Sequence, residues 1–315
     1  MAEVTGEVTD QRMAIELFDL ALAHGITLSC RAIGARNAPR RVVLLHGFPE
    51  GAFVWDEVMQ RVGGAVAGDV RCVAPNLRGY ECSSAPAEVE AYRAKHQVAD
   101  IAALIEALGA PIDLLVAHDW GGAAAWNLAA QRPHLIERLL IVNSPHPATY
   151  LRELRDNPAQ QAASAYMNFL CRPDAAALLE ENDFSRLWGF FTKMGAAPWL
   201  TEDLRASYRA LWRHGLEGAL NYYRASPLRP ALAPGAALDR LEFAPGAFNV
   251  NVPTTVLWGE ADTALPVALL DGLEEFVAAL EIQRVAGASH WIVHEQPRLI
   301  AATILRLLRP PRTGP

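Results

Sequence analysis

Only four cysteines occur in the chain, Cys30, Cys72, Cys82 and Cys171, and their wide separation lacks metal-site spacing. They read as reduced, mostly buried thiols, and cytoplasmic residence is the expectation. No Lys/Arg block and no interleaving of aromatic with basic residues occurs. With a formal net charge of -7, this excludes nucleic acid as an expected partner. No apolar run reaches membrane-spanning length, so no membrane span is expected. The opening stretch from Met1 to Asp10 carries acid and no basic flank before an apolar core, so it is not read as a secretory signal. No internal repeat is visible.

What is present is apolar mass. The chain has 315 residues, of which 51% are hydrophobic and 20% charged. That suits a soluble globular protein with a large core, built as one large domain or two modest ones.

Short β-like runs punctuate the sequence. Phe18 to Leu22 and Ile26 to Ala32 flank Ala23-His24-Gly25 and read as a hairpin. Arg41 to Leu45, Val70 to Ala74, Ile112 to Ala117 and Leu139 to Val142 follow as strands. A helix over Lys95 to Leu108 carries Val98, Ile101, Ile105 and Leu108 at helical spacing. Another runs from near Gly121 to near Pro133. Late in the chain, Thr254 to Trp258 and Ile282 to Val285 read as strands, and Ala268 to Leu280 and Leu299 to Leu308 as helices. Pro310 to Pro315 reads as a frayed tail. Strands alternating with helices predict an α/β class with a mostly parallel central sheet flanked by helices. Between Pro147 and Pro253 strand runs disappear and aromatics accumulate, which predicts a helical insertion after the sixth strand.

The hydrophobic run Ile112-Asp-Leu-Leu-Val-Ala117 ends in His118-Asp119-Trp120-Gly121-Gly122, and an alanine-rich helical stretch follows. This is the strand, sharp turn and helix context of a nucleophile elbow, with a carboxylate in the nucleophile's place. A lone Asp at a strand end is ordinarily a cap or a solvated turn. Here Gly121 and Gly122 permit close packing behind the turn. A carboxylate nucleophile forms an ester with a carbon centre, which water must then cleave. His46-Gly47-Phe48-Pro49 ends an earlier strand; alone it reads as a Gly-Pro turn. Beside the elbow, the backbone N-H groups of Phe48 and Trp120 can pair as an oxyanion hole. Asp262 and His290 each lie just beyond a late strand. They complete the order nucleophile, acid, histidine, with His290 as the base toward water and Asp262 as its orienter. Glu260 is the rival acid and His294 the rival histidine.

On these residues the chain resembles the epoxide hydrolases of the α/β-hydrolase fold, from about Phe18 to Leu308. The segments that carry the likeness are His46-Gly-Phe-Pro-Glu50, His118-Asp-Trp-Gly-Gly122 and Gly287-Ala-Ser-His-Trp291, with Arg78-Gly-Tyr80 and Asn143-Ser-Pro-His-Pro147 in support. The resemblance implies a core of residues 1–146 and 251–315 and a helical lid over 147–250. It implies Asp119 as nucleophile, His290 and Asp262 as the water-activating pair, and the Phe48 and Trp120 N-H groups as the oxyanion hole. It implies a cis Phe48-Pro49 bond. It further implies two lid tyrosines, Tyr166 in Tyr166-Met-Asn-Phe-Leu-Cys-Arg-Pro173 and Tyr223 in Leu220-Asn-Tyr-Tyr-Arg224, aimed at the epoxide oxygen. The substrates implied are a small apolar epoxide and water, with no organic cofactor and no metal.

The sequence departs from the family pattern at Asn76, where an acid is common, at Glu81 and Cys82, where small residues are frequent, and at Ala117, often glycine. The same Asp-ester chemistry would also serve a dehalogenase. Haloacetate members place an arginine after the nucleophile, where this chain has Trp120; haloalkane members need a second halide-holding N-H, which is not evident. A ligand-binding receptor on the same fold need not keep Asp119, Asp262 and His290 together. No interface pattern separates a monomer from a homodimer.

Overall fold

A computed structural model of the chain describes residues 13–66, 68–193, 197–232 and 236–309. The opening stretch and the tail expected to fray lie outside the described residues. Eight strands form one sheet: β1 (Glu16–Ala21), β2 (Thr27–Ile33), β3 (Arg40–Leu45), β4 (Val70–Pro75), β5 (Leu114–His118), β6 (Leu139–Val142), β7 (Thr254–Gly259) and β8 (Leu280–Val285). Their spatial order is β1-β2-β4-β3-β5-β6-β7-β8. The pairings β1 with β2 and β2 with β4 are antiparallel, and the rest are parallel. The expected hairpin and the mostly parallel sheet are both present.

Burial explains the sequence pattern. Strands β4 to β7 are buried along their whole length. Covered on both faces, they need continuous apolar runs such as Leu114-Leu-Val-Ala117 rather than alternation. Each such Val or Leu contributes roughly 1.5–3 kcal/mol by leaving water. The outer strand β1 alternates between half-buried and exposed residues, as one solvated face requires.

Travel across the sheet reverses at β3: β4 lies on one side of it and β5 on the other. Right-handed crossovers then put α1 (Asp56–Ala65) on one face, and α2 (Ala94–Leu108) and α3 (Asp119–Gln131) on the other. The contacts agree, since α2 packs on α3 and α1 packs on the closing helix Pro297–Leu307. Gly109 ends α2 in the left-handed conformation expected of a helix stop.

Between β6 and β7 the described residues contain no named strand. They form α4 (Pro147–Asp156), α5 (Pro158–Ala163), α6 (Tyr166–Leu170), α7 (Ala175–Lys193), α8 (Glu202–Arg213) and α9 (Glu217–Ala225). The backbone of α7 leaves helical geometry at Glu181 to Phe184. Buried apolar side chains of this segment, Leu187 and Trp212 among them, join the same cluster as Val116 and Ile141 of the sheet. After β8 come α10 (Ile292–Glu295) and α11 (Pro297–Leu307).

The helix expected over Ala268 to Leu280 is not there. Two short 3-10 turns, Val267–Leu270 and Leu273–Glu275, occupy the stretch, and Leu280 already belongs to β8. Leu269, Leu270, Leu273 and Val277 are buried, which produces the helix-like period. The chain is broken between them: Asp271 is extended and Gly272 is left-handed, at φ 73°. The Arg152 guanidinium holds the Asp271 carbonyl at 2.7 Å. Tertiary packing has overridden the local period there.

Candidate active site

Asp119 follows the last residue of β5 and opens α3. Its φ is 48°, a left-handed value that costs a non-glycine residue free energy. The surroundings enforce this turn. A side chain at Gly47 would place its Cβ 2.3 Å from Asp119 Oδ1, and one at Gly122 would come within 2.3 Å of the Ser144 Cβ. The Ser144 hydroxyl donates to the Asp119 carbonyl at 2.7 Å. Small residues therefore let three loops close around the carboxylate.

The sheet register brings the remaining loops to the same edge. Leu45 pairs with Ala117, Ala117 with Ile141, Val142 with Leu257, and Gly259 with Val285. The segments after β3, β5, β6, β7 and β8 thus open side by side. Asp119 sits next to β3, where the crossovers diverge and leave a crevice at the carboxyl ends of the strands.

His290 Nδ1 lies 2.7 Å from Asp262 Oδ2. The rival Glu260 makes no such contact with His290, and the rival His294 turns elsewhere. The Asp262 carboxylate is saturated: Oδ1 accepts from the backbone N-H groups of Ala264 and Leu265, both at 2.8 Å, and Oδ2 from Asn143 Nδ2 at 2.7 Å. Burial pushes this carboxyl up, but the charge and hydrogen bond of His290, then Asn143 and the backbone, outweigh burial and hold it below its usual value. For His290 burial works downward. The Asp262 charge and hydrogen bond, then the charges of Asp119 and Glu50, overcome it and raise the imidazole to about 9. His290 Nε2 faces Asp119 Oδ2 at 3.9 Å.

The Phe48 backbone N-H donates to Asp119 Oδ1 at 2.8 Å. The Phe48-Pro49 bond is cis. The Trp120 N-H belongs to the first turn of α3 and so has no partner within that helix. Tyr166, on α6, and Tyr223, on α9, line one cavity of about 510 Å³ together with Asp119 and Trp120. The Tyr223 ring packs edge-on against Trp120, Phe48 and Tyr166. Burial, with the nearby negative charge of Asp119 adding to it, lifts both phenols well above their usual range, so both are donors at neutral pH. Phe48 and His290 therefore stand beside Asp119, Asp262 holds His290, and Trp120, Tyr166 and Tyr223 line the same cavity as Asp119.

Several polar groups at the site were not singled out from the sequence. Glu50 is fully buried beneath the crevice. Its carboxylate contacts His118 Nδ1 at 3.1 Å, His294 Nε2 at 3.2 Å and the Tyr208 hydroxyl at 3.1 Å. The second nitrogen of His118 reaches the His290 carbonyl at 3.0 Å. Both ring nitrogens of His118 thus face oxygen atoms, one on Glu50 and one on the His290 backbone. Burial pushes the Glu50 carboxyl up, but the hydrogen bonds of His118 and His294 prevail and keep it ionised. His294, the rejected histidine, is thus a partner of Glu50. Asn143 holds Asp262 and also accepts the Gly259 N-H at 2.8 Å. Both residues sit in segments the sequence made conspicuous, Glu50 closing His46-Gly-Phe-Pro-Glu50 and Asn143 opening Asn143-Ser-Pro. The departures at Asn76 and Glu81 are linked: Asn76 Nδ2 donates to the Glu81 carboxylate, while its Oδ1 accepts the Ala52 N-H at 2.8 Å.

The α/β hydrolase fold family matches residues 40–297. The AB hydrolase superfamily protein YfhM of Bacillus subtilis is 32% identical over 91% of this chain and 96% of its own length. Epoxide hydrolase 4 of Mus musculus is 30% identical over 90% of this chain and 77% of that protein. Among solved structures, a point mutant of an epoxide hydrolase from Bacillus megaterium superposes with a TM-score of 0.82 at 30% identity, covering 92% of this chain and 99% of that one. The chain belongs to the epoxide hydrolase family of the α/β-hydrolase fold.

Proposed function

We propose that this enzyme converts an epoxide and water to a vicinal diol through a covalent ester on Asp119. The observation that carries the reading is the shared cavity: one carboxylate, Asp119, and two protonated phenols, Tyr166 and Tyr223, line it together. Asp119 Oδ1 is occupied by the Phe48 N-H, which leaves Oδ2 to attack. The new Oδ2-C bond forms as the ring C-O bond breaks, and a phenol donates a hydrogen bond or its proton to the leaving oxygen. The ester carbonyl is then Oδ1, already against the Phe48 donor, with the Trp120 N-H as the second member of the hole. Esterification removes the Asp119 charge, one of the charges holding the His290 proton. That proton passes to the phenolate left by ring opening and restores the phenol. Neutral His290, held by Asp262, then takes a proton from the water that attacks the ester carbon; the bond from that carbon to Oδ2 breaks, the proton goes to the departing diol oxygen, and the second water proton, left on Asp119, returns to His290.

On this reading residues 147–250 are a lid over a core made of 1–146 and 251–315. No helix among the described residues is long and apolar enough to cross a membrane. The four unpaired thiols suit a reducing compartment such as the cytoplasm. A test offers the purified enzyme an aryl epoxide and, separately, a small halogenated acid. Diol without halide release is the expected result; halide release without diol overturns the assignment.

A further inference from the structure

Tyr166 opens α6, a helix of five residues with no side-chain cap at its start. A single turn of helix does not hold itself in place, so the placement of Tyr166 depends on what grips its neighbours. Two other helices of the same segment supply a grip. Tyr150, on α4, also lines the Asp119 cavity. Its hydroxyl lies 3.1 Å from Ser164 Oγ and 3.1 Å from Met167 Sδ, on either side of Tyr166 in the chain. Gln160, on α5, places Nε2 2.8 Å from the same Ser164 Oγ and 3.2 Å from the Ala264 carbonyl. The Ala264 N-H in turn donates to Asp262 Oδ1 at 2.8 Å. Gln160, Ser164 and Met167 are all buried.

The donors and acceptors fix the direction of these bonds. A carbonyl and a thioether only accept. Gln160 Nε2 therefore gives one proton to Ala264 and the other to Ser164. The Tyr150 proton goes to Met167, and the Ser164 proton is left for the Tyr150 oxygen. The hydrogen bonds run one way, from Gln160 through Ser164 and Tyr150 to Met167, and use every proton on the path. Tyr150 has none left for a leaving oxygen, which separates it from Tyr166 and Tyr223. We propose that Tyr150 is a positioning residue for ring opening: its hydroxyl holds both flanks of Tyr166 and so keeps that phenol in the cavity it shares with Asp119. Gln160 fixes the far end of the path on the loop that carries Asp262. The inference rests on the epoxide-opening reading above and adds the groups that place one of its two donors. A donor held in line before the reaction spares the transition state the entropy of placing it.

The experiment follows a single turnover of an aryl epoxide, which reads alkylation of Asp119 and hydrolysis of the ester separately. Tyr150→Phe keeps the ring on the cavity wall and removes the hydroxyl. It is expected to slow alkylation about two- to tenfold, the weight of one neutral hydrogen bond, and to leave ester hydrolysis at the parental rate. Ser164→Ala cuts the same path one link away and is expected to give the same pattern. In a Tyr166→Phe background neither change should slow alkylation further, because the donor they place is gone. Parental alkylation in folded Tyr150→Phe and Ser164→Ala overturns the inference and leaves the epoxide reading intact. Equal slowing of both steps, or a slowing undiminished in the Tyr166→Phe background, does the same, since either marks a general effect on the fold. If the parent forms neither ester nor diol from the epoxide, the epoxide reading fails, and this inference with it.

Discussion

His290 Nε2 stands 3.9 Å from Asp119 Oδ2, too far for a hydrogen bond and close enough for the carboxylate to act on the imidazole through charge. Asp119 is one of the groups that raise His290 to about 9. Removing its charge must therefore lower that value. Asp119→Asn is expected to move the His290 titration toward neutrality, read from the imidazole proton signals in NMR. The same change is expected when Asp119 is esterified, which ties availability of the base to completion of the first step. A titration unmoved in Asp119→Asn would detach the two residues.

The sign of the stability effect follows from the same pair. A histidine whose folded value is raised from 6.5 to about 9 contributes stability that is fully present below pH 6.5 and is lost as pH rises through 9. Between pH 7 and 10 the parent is expected to lose melting temperature through this group. Asp262→Asn removes the main raising charge, so its melting curve is expected to change less across that window. Parallel curves for parent and variant would show that the pair contributes no proton-linked stability.

Tyr166 and Tyr223 are assigned to the ring-opening step alone. Phenylalanine at either position should slow alkylation of Asp119 by about tenfold, and at both by roughly 10²–10⁴-fold, the range of a lost proton donor. Hydrolysis of the ester once formed should stay near the parental rate. Single-turnover kinetics with a fluorescent epoxide separates the two steps. Equal slowing of both would assign the tyrosines to the shape of the cavity.

Much of this was legible in the chain because it is local. The run Leu114 to Ala117 is apolar because β5 is covered on both faces, and His118-Asp119-Trp-Gly-Gly122 writes the elbow into consecutive residues. The failures are non-local. Leu269, Leu270, Leu273 and Val277 mimic a helix, yet they are buried on an irregular segment broken at Gly272. Glu50 meets Tyr208 and His294 only because the helical segment and the His290 loop fold over β3. No spacing in the sequence announces that meeting.

Gly47 tests how tightly the elbow is confined. A Cβ there would lie 2.3 Å from Asp119 Oδ1, where the Phe48 N-H now binds. Gly47→Ala is expected to displace the carboxylate and its donor together and to lower kcat by about 10²–10³-fold, the effect of losing one oxyanion donor. The cost in stability should be modest, about 1–3 kcal/mol, as for an overpacked core position. Kinetics and a thermal melt on the same preparation measure both. Parental kcat in a folded Gly47→Ala enzyme would remove the oxyanion assignment from Phe48.

Glu50 carries a different kind of prediction, because it acts on the fold beneath the site. Its carboxylate is buried and answers three side chains, one of which, His118, in turn holds the His290 carbonyl. Glu50→Gln keeps the volume and removes the buried charge that His118, His294 and Tyr208 contact. Breaking a buried pair in this way costs about 3–5 kcal/mol. A urea titration should show that loss as a lower midpoint at unchanged slope. Replacing His118 as well, in Glu50→Gln with His118→Gln, removes the partner whose contact was broken and should restore part of the stability. The double variant still lacks the contact from His118 Nε2 to the His290 loop, so its kcat should stay below the parental value after the midpoint has recovered. If the double variant is no more stable than Glu50→Gln alone, the loss comes from the His294 and Tyr208 contacts and not from the one with His118.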